Sequence, residues 1–559
     1  MTASEQLKAL AEETWSSRFE EYPEFATMMG DHRFDDRLTD ASDAARLRRL
    51  ETTRGRLARL DAIDAGELSE EERITADVLR IDYENAITSD DLCLRWFGID
   101  QLNGAQVSFP TFVQNFHPKK TAADWENLIK RYQAFGEQMS HELACLEEGV
   151  SQGYNSPRIA VERVLGQLDA MLDGEGDLFA DLADAIPETI EEREALAAGL
   201  RDAASSVVRP AFEEMRRIVR EVVLPKAHEN TGLWQNPRGD EIYAFMVKRH
   251  LGKAMDPQTV HELGLAELES ITKEMDEIAA AAGMSRDEYA AHLASDATNF
   301  HSTKEALLAE YEALIRKAEA ELPRVFGRIP KEKCIVKAVE EYREKDAPTG
   351  FYMPPPEDGS RPGMFYANLY KPETRLRSNM ACLTYHEAVP GHHLQISIAQ
   401  GLDLPAVRRH GHFTAYVEGW ALYTERLCDE LGLYDLPRDR FGMLGYQSWR
   451  ASRLVVDTGL HALRWDRSKA LEFLTSKTVL PESEVKNEID RYLVMPAQAL
   501  SYKIGEIEIR GLRAEAEERL GEDFELKDFH DKLLEGGAVP LETLATIMRE
   551  WMKAVAAEA

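Results

Sequence analysis

The sequence predicts a mainly α-helical protein, and three observations carry that prediction. Apolar residues recur at spacings of three and four along most of the chain, the period an amphipathic helix needs to present one apolar face. Acidic, alanine-rich stretches fill roughly 120–320, and alanine and glutamate are strong helix formers. Only one segment, from about 325 to 372, departs from this texture.

The elements follow in chain order. Leu7, Leu10, Ala11, Trp15, Phe19 and Tyr22 make the apolar stripe of an opening helix, and Gly30 ends it. A soft boundary falls at 229–238, where Gly232 and the Pro237-Arg238-Gly239 triplet interrupt the pattern. It divides an N-terminal helical lobe, 1–230, from a second lobe, 231–559, and the two are expected to pack as one continuous body. Within 325–372, Ile335 to Val339 and Met364 to Tyr370 carry β-branched and aromatic residues, separated by Pro354-Pro355-Pro356 and a turn-rich run ending at Gly363. A small antiparallel sheet of two to four strands is expected there. It would either pair with an extended peptide through its backbone or only support the helix that follows. After Pro540, Leu541, Leu544, Ile547, Met548 and Trp551 define a closing helix.

Composition narrows the function. The 559 residues are 44% hydrophobic and 30% charged, ordinary for a globular chain with a large core. A net charge of −33, from 67 basic and 100 acidic residues, repels phosphate backbones and anionic lipid, so nucleic-acid and membrane partners are not expected. The five cysteines are scattered and none forms C-x-x-C, which argues against a disulfide framework or a cysteine metal site. The N-terminal stretch has neither a basic nor an apolar signal region, and no run reaches the ~18 apolar residues of a membrane span. A cytoplasmic setting is the expectation.

The most informative stretch is Tyr385-His386-Glu387-Ala388-Val389-Pro390-Gly391-His392-His393. Neutral imidazoles hold a divalent cation, and a carboxylate beside the first ligand can take a proton from an activated water. The zinc-protease pattern H-E-x-x-H places its second histidine four residues on, and here that position is Pro390. On an ideal helix His392 lies ~120° around from His386, whereas His393 lies ~20° around but ~10.5 Å along the axis. Neither suits a straight helix, so a bulge at Pro390-Gly391 is expected to bring one of them back. Glu418, among Val417, Trp420, Ala421 and Leu422, is the expected third ligand, because a buried carboxylate needs a partner. Glu425 is the reserve, and His410 and His412 are remoter candidates. His₂Glu favours one zinc ion. Glu387 is the expected general base.

H-E-A-V-P-G-H-H-L-Q, followed by Y-V-E-G-W-A-L-Y-T-E, resembles the bacterial family catalogued as domain of unknown function 885. The likeness extends over Gly350 to Tyr370, Asp457 to His461 and Pro496 to Gly505. That family is grouped with the thermolysin-like zinc peptidases called gluzincins. The resemblance implies a gluzincin-like, two-lobed helical body with a deep cleft. Aligned on the Gly-His pair of those relatives, it selects His392 over His393. It also points to Tyr502, in the stretch Gln498 to Tyr502, as donor to the substrate oxyanion.

Arg450, Arg453, Asp457 and His461 share one predicted helix. They could orient metal ligands, clamp a substrate carboxylate or form an ordinary helical ion-pair set. His461 and Arg453 are the expected substrate contacts. The reading is a zinc-dependent metallohydrolase of short peptides or small amides. Two alternatives stay open: an amidohydrolase of a non-peptide metabolite, and a non-catalytic binding protein on a peptidase scaffold.

Overall fold

The structure is a computed structural model that describes every residue except 230, 342, 343, 346, 357–360, 412, 479 and 559. The chain divides into two compact units, Met1–Ile242 and Tyr243–Ala559. Both are dominated by helices. Among the described residues no helix is long and apolar enough to cross a membrane.

In the first unit, α1 (Ala3–Glu21) starts at a capping box, with the Thr2 hydroxyl accepting from the Glu5 amide and Glu5 accepting from the Thr2 amide. It buries Leu7, Leu10 and Ala11, the predicted stripe. Gly30 follows at φ +85°, a conformation glycine adopts without penalty. The centre of the unit is α2 (Ala122–Ser151), whose buried residues Trp125, Leu128, Tyr132, Phe135, Met139, Leu143 and Leu146 hold the three-and-four spacing. Phe135 stacks on Phe109 at 4.0 Å between ring centroids, and Phe212 packs on it at 5.1 Å.

The second unit carries the site. Helix α3 (Pro257–Ala281) begins at Asp256, whose carboxylate accepts from the Thr259 amide at 3.0 Å. Three strands follow, β1 (Cys334–Ala338), β2 (Gly350–Met353) and β3 (Gly363–Ala367), in the order β1-β3-β2. β2 and β3 are antiparallel, but β1 and β3 are parallel, so the sheet is mixed rather than antiparallel as expected. The reason lies in burial. β3, Gly-Met-Phe-Tyr-Ala, is buried at every position and takes the centre, while β1 alternates in exposure and takes an edge. Consecutive β1 and β2 then cannot be neighbours.

Beyond the sheet come α4 (Arg377–Glu387), α5 (His392–Gln400), α6 (Thr414–Glu430), α7 (Pro437–His461), α8 (Ser501–Leu520) and α9 (Leu541–Glu558). In α7 every residue from Arg450 to His461 is buried. A buried helical stretch with this many polar side chains must find most of their partners inside the protein, which makes this end of α7 a polar spine of the unit.

Phe135→Ala tests the first unit's core. Removing a ring only 2% exposed should cost about 3–5 kcal/mol through lost transfer energy and the cavity left. Urea unfolding followed by circular dichroism reads it, and a change below about 1 kcal/mol would show that the stacked aromatics do not hold this core.

Candidate metal centre

The sequence expectation was one bulged helix, and the structure has two helices. α4 stops at Glu387 and α5 starts at His392, with Val389–Pro390 a cis peptide between them. The four residues fold back on the end of α4. The Gly391 amide donates to the Tyr385 carbonyl at 2.9 Å and the His393 amide to the Ala388 carbonyl at 3.1 Å. A Cβ at Gly391 would lie 1.9 Å from the His386 carbonyl oxygen, so only glycine fits this return. The Trp420 indole on α6 donates to the Pro390 carbonyl at 3.0 Å and fixes the turn from outside.

This reversal brings two imidazoles and a carboxylate together. The His386 and His392 rings stand edge to face, centroids 4.8 Å apart. Glu418 Oε2 lies 3.5 Å from His386 Nε2 and 3.6 Å from His392 Nε2. These separations are long for hydrogen bonds. They match a tetrahedral metal site, where bonds of ~2.1 Å put ligand atoms roughly 3.4 Å apart. Glu418 Oε2 and His392 Nδ1 are buried and bond to no other atom among the described residues. A buried carboxylate oxygen without a donor is costly, and a cation bound by Glu418, His386 and His392 would remove that cost. The donor set therefore fits a divalent metal of the zinc type.

Glu387 presents a carboxylate oxygen in the same cluster, within 4.8 Å of ligand atoms of His386 and His392. Burial raises its carboxyl above the usual range, against the pull of the two histidines. Glu425 does not enter the cluster as a ligand. Its Oε1 lies 2.9 Å from His386 Nδ1, on the far side of the ring. That contact makes Nδ1 a hydrogen-bond donor to Glu425 and turns Nε2 toward Glu418. Glu425 Oε2 accepts from the Gln447 amide at 3.1 Å, and Gln447 Oε1 accepts from the Lys503 ammonium at 3.0 Å. Burial works against a charge on His386, but Glu418 and Glu425 outweigh it and lift the imidazole to about 9. Burial likewise opposes charge on Glu418, and the same two histidines hold it well below the usual carboxylate range. The cluster is thus built to keep positive charge between carboxylates.

His393 faces away. Its Nε2 donates to the Glu332 carbonyl and its Nδ1 accepts from the Tyr352 hydroxyl, both at 2.9 Å. Both ring nitrogens are used, so His393 anchors α5 to β2 and to the chain leading into β1, and the sheet supports the helix. His410 is not part of the cluster, and His412 lies outside the described residues.

Tyr502 reaches the site through a close helix crossing. A Cβ on Gly505 of α8 would lie 1.9 Å from the Ala415 carbonyl and 2.7 Å from the Gly419 Cα of α6. Glycine on both helices lets the backbones touch, which places Tyr502 close enough to Glu418 for that carboxylate to raise its phenol, second to burial.

The two expected substrate contacts, His461 and Arg453, both have partners within the protein. His461 is fully buried, donates from Nε2 to the Tyr492 carbonyl at 2.9 Å and stacks on Tyr243. It holds α7 and is not presented to a substrate. Arg453 donates from Nε to the Tyr492 hydroxyl at 3.0 Å, pairs through Nη2 with Glu488 at 3.1 Å and lies over the Tyr502 ring at 4.5 Å. Its Nε and Nη2 are engaged by its own protein, Nη1 is buried without a hydrogen-bond partner, and the guanidinium packs on the Tyr502 ring. Asp457 accepts from the Tyr243 hydroxyl at 2.7 Å and from the Ala497 amide, so it does not orient a metal ligand.

Fold and cluster together define a helical protein whose candidate site is a two-histidine, one-glutamate cluster. The chain belongs to the family described as bacterial protein of unknown function (DUF885), whose model matches residues 23–548. No curated protein matches it. A crystal structure from Colwellia psychrerythraea, assigned as a lipoprotein, superposes with a TM-score of 0.91 at 28% identity, covering 99% of this chain and 100% of the other. A lipoprotein of unknown function from Shewanella oneidensis gives 0.76 at 18% identity, covering 98% and 100%, and shares the fold.

Sequence reasoning missed Gln447, Lys503 and the pin from Trp420. Their partners are distant in the chain, and the only local signal was a lysine and a glutamine at positions that helical periodicity buries.

Gly505→Ala should destabilise the protein by about 1–3 kcal/mol through overpacking. Gly511→Ala, with open space around it on the same helix, should stabilise by about 0.5–1 kcal/mol. Equal melting temperatures for the two would refute the close-crossing account. Asp457 gives a pH test. Burial raises its carboxyl from 3.8 to about 7. A raised folded value means stability that is complete below about pH 4 and lost as pH rises through about 7. Asp457→Asn should therefore gain on wild type between pH 5 and pH 8, and a constant difference in urea midpoint across that window would contradict it.

Proposed function

We propose that this chain is a zinc-dependent metallohydrolase of the gluzincin type, cleaving peptide or peptide-like amide bonds in short substrates. One observation carries the reading: the triangle of His386 Nε2, His392 Nε2 and Glu418 Oε2, with 3.5 and 3.6 Å edges to the carboxylate, has a free carboxylate, Glu387, beside it. A cation held there would polarise a scissile carbonyl and acidify a water. Glu387 takes a proton from the attacking water and returns it to the departing nitrogen. Its carboxyl, raised by burial, sits nearer the working pH and is suited to both transfers. The Tyr502 hydroxyl donates to the oxygen that gains charge as the carbonyl becomes tetrahedral. Arg453, stacked on the Tyr502 ring, fixes the direction of that donor. Glu425 holds His386 in the tautomer that leaves Nε2 free. A cytoplasmic setting is part of the proposal and rests on the sparse, scattered cysteines.

Elemental analysis of the purified protein should give about one zinc per chain. His386→Ala, His392→Ala and Glu418→Ala should lose it and His393→Ala should keep it. No metal in wild type after zinc reconstitution would end the proposal. Glu387→Gln should retain zinc while peptide-library turnover falls by roughly a thousandfold or more, and Tyr502→Phe should lower kcat by about 10²–10³ with little change in KM. Wild-type turnover in Glu387→Gln would remove Glu387 as the base.

A further inference from the structure

Two arginines stand one turn apart on α7, and the protein treats them differently. Arg453 is paired with Glu488 and hydrogen-bonded to Tyr492. Arg450 is 7% exposed, yet among the described residues it has no ion pair or hydrogen bond, and its Nε and Nη1 are buried without a partner. It is held in place by aromatic faces, with its guanidinium carbon 4.7 Å from the centroids of both Tyr446 and Trp449. Trp449 lies 4.4 Å from Arg453 on its other contact, and Arg453 continues the stack onto Tyr502. The column Tyr446, Arg450, Trp449, Arg453, Tyr502 thus leads from a guanidinium with unpartnered donors to the phenol beside Glu418. Tyr446 and Trp449 keep part of their surface in solvent, so the column borders accessible space. Arg450 also acts on the carboxyls of Glu425 and Glu387, which places its charge within reach of the metal cluster.

A buried cation is expensive unless an anion meets it. Stacking fixes the plane of the guanidinium and leaves Nε and Nη1 without a hydrogen-bond acceptor, and a planar carboxylate meets such a fork through two parallel hydrogen bonds. Glu425 attracts Arg450 electrostatically but makes its hydrogen bonds to His386 and Gln447, so it gives the guanidinium no direct hydrogen bond.

We infer that Arg450 is a carboxylate-binding residue that selects substrates with a free C-terminus, so that the site removes residues from the carboxyl end of short peptides. This inference rests on the proposed hydrolytic reading for its reaction, but not for its binding. A substrate carboxylate on Arg450 would set a peptide in register, its scissile carbonyl between Glu387 and Tyr502. Glu387 and Glu425 lie close by, so the metal's charge is needed to admit another anion, and the zinc-loaded protein is the one to test.

The experiment uses acetylated di- and tripeptides, each as free acid and as C-terminal amide, on zinc-loaded protein. Binding is measured by calorimetry on Glu387→Gln and turnover on wild type. The free acids should bind at least about tenfold more tightly than the amides and be cleaved with correspondingly higher kcat/KM. Arg450→Gln should erase the difference by weakening the acids, chiefly in KM, while circular dichroism confirms the fold. If glutamine at 450 disrupts folding, Arg450→Lys, with one point charge in place of the fork, should reduce the preference severalfold. Equal binding of acids and amides overturns the inference, as does a folded Arg450 variant that keeps the full preference. Acid-selective binding without turnover of any peptide would support Arg450 and defeat the hydrolytic proposal instead.

Discussion

No side chain can stand at position 391. The chain reverses there so tightly that a single added carbon would meet the His386 carbonyl at 1.9 Å, and the rest of the site depends on that reversal. It returns His392 over His386 instead of carrying it a further turn along an axis. The reversal is held by Trp420, which bonds the Pro390 carbonyl and lies two residues beyond Glu418 on α6. One hydrogen bond therefore ties the turn that places the second histidine to the helix that carries the carboxylate.

Charge organises the surroundings. His386 lies between two glutamates, Glu425 at Nδ1 and Glu418 at Nε2. Behind Glu425, Gln447 passes the contact to Lys503, which is fully buried and paired with Glu267 and Glu506. Such a relay keeps every member oriented, because a buried polar group that lost its partner would pay the full desolvation cost. The two arginines of α7 differ: Arg453 has an ion-pair partner in Glu488, and Arg450 packs on aromatic faces with no hydrogen-bond acceptor for Nε or Nη1.

The sheet shows where periodicity stops being informative. Ile335 to Val339 and Met364 to Tyr370 read correctly as strands, because alternation and β-branching are local properties. Their pairing was not readable, because which strand takes the centre is decided by which one must be buried on both faces and both edges. The histidine pair is similar. His392 and His393 are adjacent and chemically alike, and helical geometry alone favoured neither. The sheet decides, by occupying both nitrogens of His393 with Tyr352 and Glu332. His461 and Asp457 misled for the opposite reason. Titratable residues on one helix look like a site in sequence, but the last three turns of α7 are buried, where Asp457 bonds Tyr243 and the Ala497 amide and His461 bonds the Tyr492 carbonyl.

By itself, then, the sequence determined the helical class, the strand segment, and the residue types of the candidate site: His386, Glu387, a later histidine and Glu418. These follow from short-range periodicity and from the chemistry a buried carboxylate demands. Tertiary structure decided which histidine joins the cluster, that Glu425 orients His386 instead of joining it, that Tyr502 reaches Glu418 across a glycine-to-glycine crossing, and which arginine is left unpaired. Each of those outcomes depends on contacts between segments far apart in the chain, and such contacts are fixed only when the helices pack.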